Sequence, residues 1–368
     1  MQTINKTTIN KKAAYRVQQH GKVAKCRISQ FYVVMVCLLV PLYFFSTNTF
    51  STNTFSTNTV IASMPIFSVI SGVISGVISG VISGVISGGI SGVISCVTAQ
   101  YAAIALGLLV VVFGLPHGAL DYEVAKSLKL LKNPGRVWLF IIGYLFLSGA
   151  AILFWVSFPA IALCVFLAIS VYHFSSDWRS SFSIGNRLAI STIVVCGPSI
   201  YYGSQISILF SYLMIERQNA VIIILLMKIC CVLGVINLLL TFLIKIRKQS
   251  RQFRVSLSLA NLVPNAELPI LLISSLLMPP LLHFILYFCF LHSVKHFVDV
   301  SGALQFSLTE ALRKSAIFVV LTLIFAYIAY YFYGSGDIDT DLVRMVFIGL
   351  FGLTVSHMSL ITVWHRHF

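Results

Sequence analysis

Nine histidines stand in this chain of 368 residues, and five of them are placed where chemistry is plausible: His117, His173, His292, His296 and His357. His292 and His296 are four apart in the string HSVKH. On a helix that spacing puts both rings on one face, one turn apart, as two ligands of one metal ion require. Neutral imidazole is the commonest side-chain metal ligand, and His117 and His173 extend the pair to an all-nitrogen set. His117 and His173 are each followed four residues later by an acid, Asp121 and Asp177, and Asp299 follows His296 by three. A carboxylate one helical turn away accepts the second ring N–H and fixes the tautomer. The plainer reading of these acids is that they mark helix ends at a membrane interface. Imidazole suits zinc, copper, iron and nickel, so spacing does not decide the metal.

An HxxxH pair alone is a weak signal, and a single histidine in an apolar run is more often a packing residue than a ligand. Depth strengthens the case here. The chain is 58% hydrophobic and only 10% charged, against about 25% charged in a soluble domain. Apolar runs fall near residues 97–116, 137–157, 159–177, 188–210, 221–244, 257–278, 281–300, 315–333 and 342–363, with lengths that suit helical spans. Alternate loops are basic: 122–136, 178–187, 245–254, 301–314 and the C-terminal tail. The positive-inside rule puts these loops in the cytoplasm. Eight crossings then follow residue 122, and the five histidines all lie toward the cytoplasmic ends of spans running in one direction. Ionisable residues inside a membrane are costly and usually functional.

The expected fold is therefore an all-α polytopic transmembrane helical bundle of about eight to ten spans. Residues 1–30 carry seven Lys or Arg and no acid and read as a disordered basic cytoplasmic tail. Residues 31–96 are an apolar and low-complexity segment in which STNTF and then VISG repeat. The glycines of the VISG tract recur every fourth residue, a ridge on which membrane helices approach closely, although repeat expansion is the plainer account. Residues 97–368 form the helical domain that carries the candidate chemistry. The net charge of +15 follows the loops and is not interleaved with aromatics, so nucleic acid is not an expected partner. The eight cysteines include no CxxC and lie mostly in apolar runs, as small hydrophobes rather than disulfides or zinc ligands.

Other polar and aromatic positions matter less. Glu267 lies in LVPNAELPILL, between Pro264 and Pro269, and a carboxylate there must be paired or face a polar cavity. His283, after Pro279-Pro280, reads as interfacial or structural. Tyr172, Phe174, Trp178, Tyr287, Phe288 and Phe290 surround the histidine segments. Such aromatics are usually core or belt residues, and the first four are also candidates to line a site for a long apolar substrate.

GLPHGALD (114–121), YHFSSDW (172–178), YFCFLHSVKH (287–296) and SHM (356–358), in this order, resemble the Brp/Blh family of membrane β-carotene 15,15′-dioxygenases over residues 97–363. The resemblance implies a non-haem Fe(II) enzyme that uses O2 to split β-carotene at its central double bond into two molecules of retinal. Its iron ligands fall on His117, His173, His292 and His296, with His357 outside the ligand set or in the pocket. Lys295 stands where the family often has Arg, and the two cations do not hydrogen-bond alike. The resemblance also implies a multi-pass protein of the cell (inner) membrane, and a link to a retinal-binding rhodopsin. Two other classes compete. Membrane desaturases and hydroxylases use about eight histidines with HxxHH boxes, which this chain lacks, and a bis-histidine haem protein needs opposed pairs. A non-enzymatic transporter or accessory protein for retinal delivery and opsin assembly would not need the HSVKH histidines.

Overall fold

A computed structural model describes residues 27–37, 102–179, 181–249 and 259–367. Most of the basic tail and the STNTF and VISG repeats lie outside these residues. Within them the chain is helical, with no strand. The helices are α1 (Arg27–Cys37), α2 (Ala102–Leu109), α3 (Leu115–Ala119), α4 (Asp121–Ser127), α5 (Pro134–Ser157), α6 (Pro159–Phe174), α7 (Ile184–Cys196) and α8 (Gly203–Tyr212). They continue with α9 (Arg217–Gln249), α10 (Leu259–Leu277), α11 (Pro280–Phe284), α12 (Ser293–Ala303), α13 (Leu308–Tyr333) and α14 (Ile338–His367).

The burial pattern is that of a membrane protein. In α13 only Ala311 and Ser315 are buried, while Phe325, Tyr331 and Phe332 are exposed. Polar groups go the other way: Asp121, Ser191, Ser274, His292 and Ser293 are buried. An outer surface of this kind is stable only against lipid. Where α5 crosses α14, a Cβ on Gly352 would meet Ile152 at 2.9 Å, so the close contact requires glycine. Beside it Trp155, Phe166 and Phe351 pack edge to face with centroids 5.2–6.0 Å apart.

Among the described residues six helices are long and apolar enough to cross a membrane, or seven if one bent pair is a single span. The expected all-α polytopic helical bundle is what the described residues form. The 188–210 run is the bent pair: its arms Ile184–Ser199 and Gly203–Tyr212 meet at 91°. Pro198, in the 3-10 turn Gly197–Ser199, cannot continue a helix, and apolar composition does not register a change of direction. The 257–278 run forms α10, a helix of 19 residues. The 97–116 run is broken too. After α2 it passes through a π-helical turn, Val110–Gly114, before α3. Pro116 in α3 lacks an N–H and crowds the carbonyl four residues back, and a widened turn accommodates both. A longer π-helical stretch, Ile285–His292, joins α11 to α12.

α1 begins at Arg27, inside the segment expected to be tail. Its Tyr32 is fully buried, with its hydroxyl 3.2 Å from Ser274 Oγ of α10. Phe31 contacts Phe290, at 6.4 Å between centroids.

Candidate metal centre

Each histidine is delivered by a distinct local device. His173 is the penultimate residue of α6. The helix closes because Ser175 and Ser176 turn back, donating to the carbonyls of Tyr172 and His173 at 2.6 and 2.7 Å. The chain then tightens into the 3-10 turn Ser175–Trp178, which carries Asp177. His292 is the last residue of the long π-helical stretch. His296 follows one turn on in α12. His357 lies near the end of α14. His117 is in α3, directly after the other π-helical turn. Its side chain is outside the described residues.

Four rings meet. His173 lies 4.7 Å from His292, 5.9 Å from His296 and 5.4 Å from His357, centroid to centroid. His296 lies 5.2 Å from His357 and 6.1 Å from His292. His173, His292 and His357 are buried. The two Nε2 atoms of His173 and His292 stand 3.1 Å apart.

The carboxylates are shared differently from the sequence expectation. Asp177 bonds His292 Nδ1 at 3.0 Å and accepts from the Tyr287 hydroxyl at 2.9 Å. Asp121 bonds His357 Nδ1 at 2.8 Å and accepts from the Tyr144 hydroxyl at 2.8 Å. The spacing argument paired Asp121 with His117 and Asp177 with His173. It assumed an unbroken helix, yet the 3-10 turn swings Asp177 to the neighbouring helix, and Asp121 begins a new helix after the break at Leu120. Asp299 is exposed. Glu267 holds the lysine of HSVKH: Lys295 Nζ lies 2.6 and 2.8 Å from its two oxygens.

These residues suit a transition-metal ion by their donor chemistry. A carboxylate accepts only, so His292 and His357 donate from Nδ1 and present Nε2 as a lone pair. In the His173–His292 contact His173 is then the donor, and a 3.1 Å separation is short enough for one ion about 2.1 Å from both nitrogens. Loading such an ion would replace that hydrogen bond and require the His173 proton to stand on Nδ1 instead of Nε2. Among the described residues, no three His, Cys, Asp or Glu groups already stand as a ready-made ion cage.

Beside His173 opens an apolar cavity of about 140 Å3. Phe174, Tyr287 and Phe288 line it together with His173 and His283. Phe174 also packs on the His292 ring at 4.6 Å.

A family model described as Beta-carotene 15,15'-dioxygenase matches residues 108–365. The chain belongs to this family. A curated relative from Uncultured marine bacterium 66A03, named Beta-carotene 15,15'-dioxygenase, is 33% identical over 264 residues, which is 69% of this chain and 90% of the relative. No solved structure matches. In this family member the matched region takes in every helix that contributes to the histidine cluster, and α1 lies outside it.

Of the four aromatics proposed to face substrate, Phe174 and Tyr287 line the cavity, whereas Tyr172 is exposed and Trp178 stacks on Tyr287 behind it. Sequence reasoning missed Tyr144, Gly114 and the hydroxyl role of Tyr287. Gly114 has a cue, since it opens GLPHGALD two residues before Pro116. Tyr144 has none, because nothing in the sequence of α5 marks which face meets Asp121.

Two expectations follow for this family member. Asp177→Asn keeps an acceptor for His292 but loses the charge, and the affinity of the histidine cluster for an added transition-metal ion should fall about 10–100-fold; metal content after dialysis against a graded chelator measures it. A Cβ on Gly114 would stand 2.9 Å from Phe288 Cε1, and Phe288 stacks near His292 at 6.0 Å. Gly114→Val should therefore destabilise the fold by about 1–3 kcal/mol and lower turnover, read as a reduced Tm in detergent and a reduced product yield per folded protein.

Proposed function

We propose that this chain cleaves the central 15,15′ double bond of β-carotene with O2, giving two molecules of retinal, at iron(II) held by His117, His173, His292 and His296. The observation that carries the reading is the meeting of imidazoles from separate helices, two with Nδ1 on a carboxylate (Asp121 buried, Asp177 half-buried), beside an apolar cavity. Family membership supplies the substrate and the reaction.

Iron bound there supplies the one-electron chemistry that lets O2 react with a carbon–carbon double bond. The protein does the rest. Neutral imidazoles leave the ion its full positive charge. Asp177 and Tyr287 fix the His292 ring, and Asp121 and Tyr144 fix His357 beside it. Phe174 and Phe288 pack the cavity wall against His292 and exclude water from the reacting carbons. A polyene dissolved in lipid reaches such a site laterally, through the bilayer. The basic loops orient the cluster toward the cytoplasmic side of the cell membrane, and a retinal-binding rhodopsin is the natural acceptor of the product.

The test is coexpression in β-carotene-producing cells, with retinal measured by chromatography, followed by the purified protein with and without O2. Retinal that appears only with iron and O2 supports the reading. Iron-loaded, folded protein that leaves β-carotene intact in air overturns it.

A further inference from the structure

His292 and His357 are held in the same way. His292 Nδ1 stands 3.0 Å from Asp177, which also accepts from the Tyr287 hydroxyl at 2.9 Å. His357 Nδ1 stands 2.8 Å from Asp121, which also accepts from the Tyr144 hydroxyl at 2.8 Å. The same Tyr–Asp–His chain is thus built twice, from different helices. In each, the carboxylate only accepts, so the ring donates from Nδ1 and keeps its lone pair on Nε2. Histidines that ligate a metal are almost always held like this. Charge points the same way. Among the described residues neither Asp121 nor Asp177 has a lysine or arginine as an ion-pair partner. A carboxylate withdrawn from water needs a counter-charge, and two of them match one divalent ion held between the rings.

We propose that His357 is itself a ligand of the metal ion, beside His117, His173, His292 and His296, with Tyr144 and Asp121 holding it as Tyr287 and Asp177 hold His292. The proposal rests on the metal-centre reading above and enlarges its ligand set to five imidazoles. The spacing of the rings supports it. A ring bound through one nitrogen at about 2.1 Å has its centroid about 3.2 Å from the ion, so two rings on one ion stand from about 4.5 Å apart when adjacent to about 6.4 Å when opposite. His357 lies 5.4 Å from His173 and 5.2 Å from His296, inside that range and no farther than the 6.1 Å between His292 and His296. His357 and Asp121 are 3% and 5% exposed, so the pair is withdrawn from water with the rest of the cluster. The contact between α5 and α14 sets its place. Ser356 donates to the Tyr144 carbonyl oxygen at 3.0 Å and pairs with Ser148 at 2.7 Å, which ties the residue before His357 to the tyrosine that anchors Asp121. Among the described residues no three donors have converged on one point, so loading draws the rings together. Five imidazoles leave an octahedral ion a single open position.

The experiment loads the full-length protein in detergent with cobalt(II), a paramagnetic ion that takes the same nitrogen ligands, and records proton NMR after 15N-histidine labelling. The ring N–H of each ligated histidine is displaced far outside the ordinary proton range, whereas a histidine that only packs nearby is not. Five such resonances are expected. His357→Gln should remove one, leave four, and weaken cobalt(II) binding at least about tenfold; helical circular dichroism checks that the variant is folded. Asp121→Asn should move the same resonance and leave the other four in place. Four resonances in the wild type, as when His357 is no more than a ring paired with Asp121, or five in both the wild type and folded H357Q, overturn the proposal. The wild-type count decides even if H357Q does not fold. If cobalt(II) binds through four histidines and the iron-loaded protein cleaves β-carotene, the fifth ligand alone falls. If the wild type binds no metal ion, the metal-centre reading falls with it.

Discussion

His292→Ala should abolish retinal formation and leave the purified protein without stoichiometric iron. His292 is fully buried and joins the two parts of the site, with Nδ1 on Asp177 and Nε2 3.1 Å from His173. Truncation removes a proposed ligand, strands Asp177 with only the Tyr287 hydroxyl, and opens a void beside Phe174. The loss should exceed the about 10–100-fold expected when an outer partner alone is removed. Tyr287→Phe removes one neutral hydrogen bond to the same carboxylate, about 1 kcal/mol, so the ranking H292A, D177N, Y287F is itself a test. Elemental analysis for iron and chromatography for retinal, at matched protein levels, measure both halves. Full iron and full activity in H292A would remove this residue from the chemistry.

Lys295→Met should cost about 3–5 kcal/mol of stability. Lys295 and Glu267 sit 16% and 10% exposed, with two contacts of 2.6 and 2.8 Å. Removing the cation leaves a carboxylate largely out of water with no counter-charge, which is far worse than losing the pair altogether. The double variant Glu267→Gln/Lys295→Met should therefore recover most of the loss. Lys295→Arg should keep the tie between α10 and α12, because the guanidinium retains the charge. Thermal unfolding in detergent, monitored by helical circular dichroism, distinguishes the four proteins. A Tm for K295M equal to that of the wild type would mean that water reaches Glu267. This pair also answers what Glu267 does within an apolar helix: it holds the lysine that stands between the two histidines of HSVKH.

Much of the histidine cluster was legible because membrane topology turns sequence position into depth. The alternating basic loops put His173, the HSVKH pair and His357 at one level, and their rings meet there. The one-turn spacing of His292 and His296 survives because both bound the regular start of α12. What was not legible depends on helix irregularity. The Asp partners exchanged because α6 ends in a 3-10 turn and α4 starts anew, and neither break changes the spacing of the letters. The bend at Pro198 hid in an apolar run, and so did the docking of α1 through Tyr32, whose partner lies 242 residues away. His283 was read as interfacial or structural, and it is buried beside the cavity with Nε2 2.9 Å from the Val194 carbonyl oxygen.

The two π-helical stretches make chain length between fixed points part of the site. Each wide turn is equivalent to one residue inserted into an α-helix, and the stretches end at Gly114 and at His292. Deleting any one residue from 285–291 would let the helix relax to regular geometry and look harmless by composition. It would also rotate everything beyond it by about 100° relative to α11, carrying His292 away from Asp177 or His283 away from Val194. Single-residue gaps in these two windows should therefore be far less tolerated than most substitutions, however conservative the remaining sequence looks.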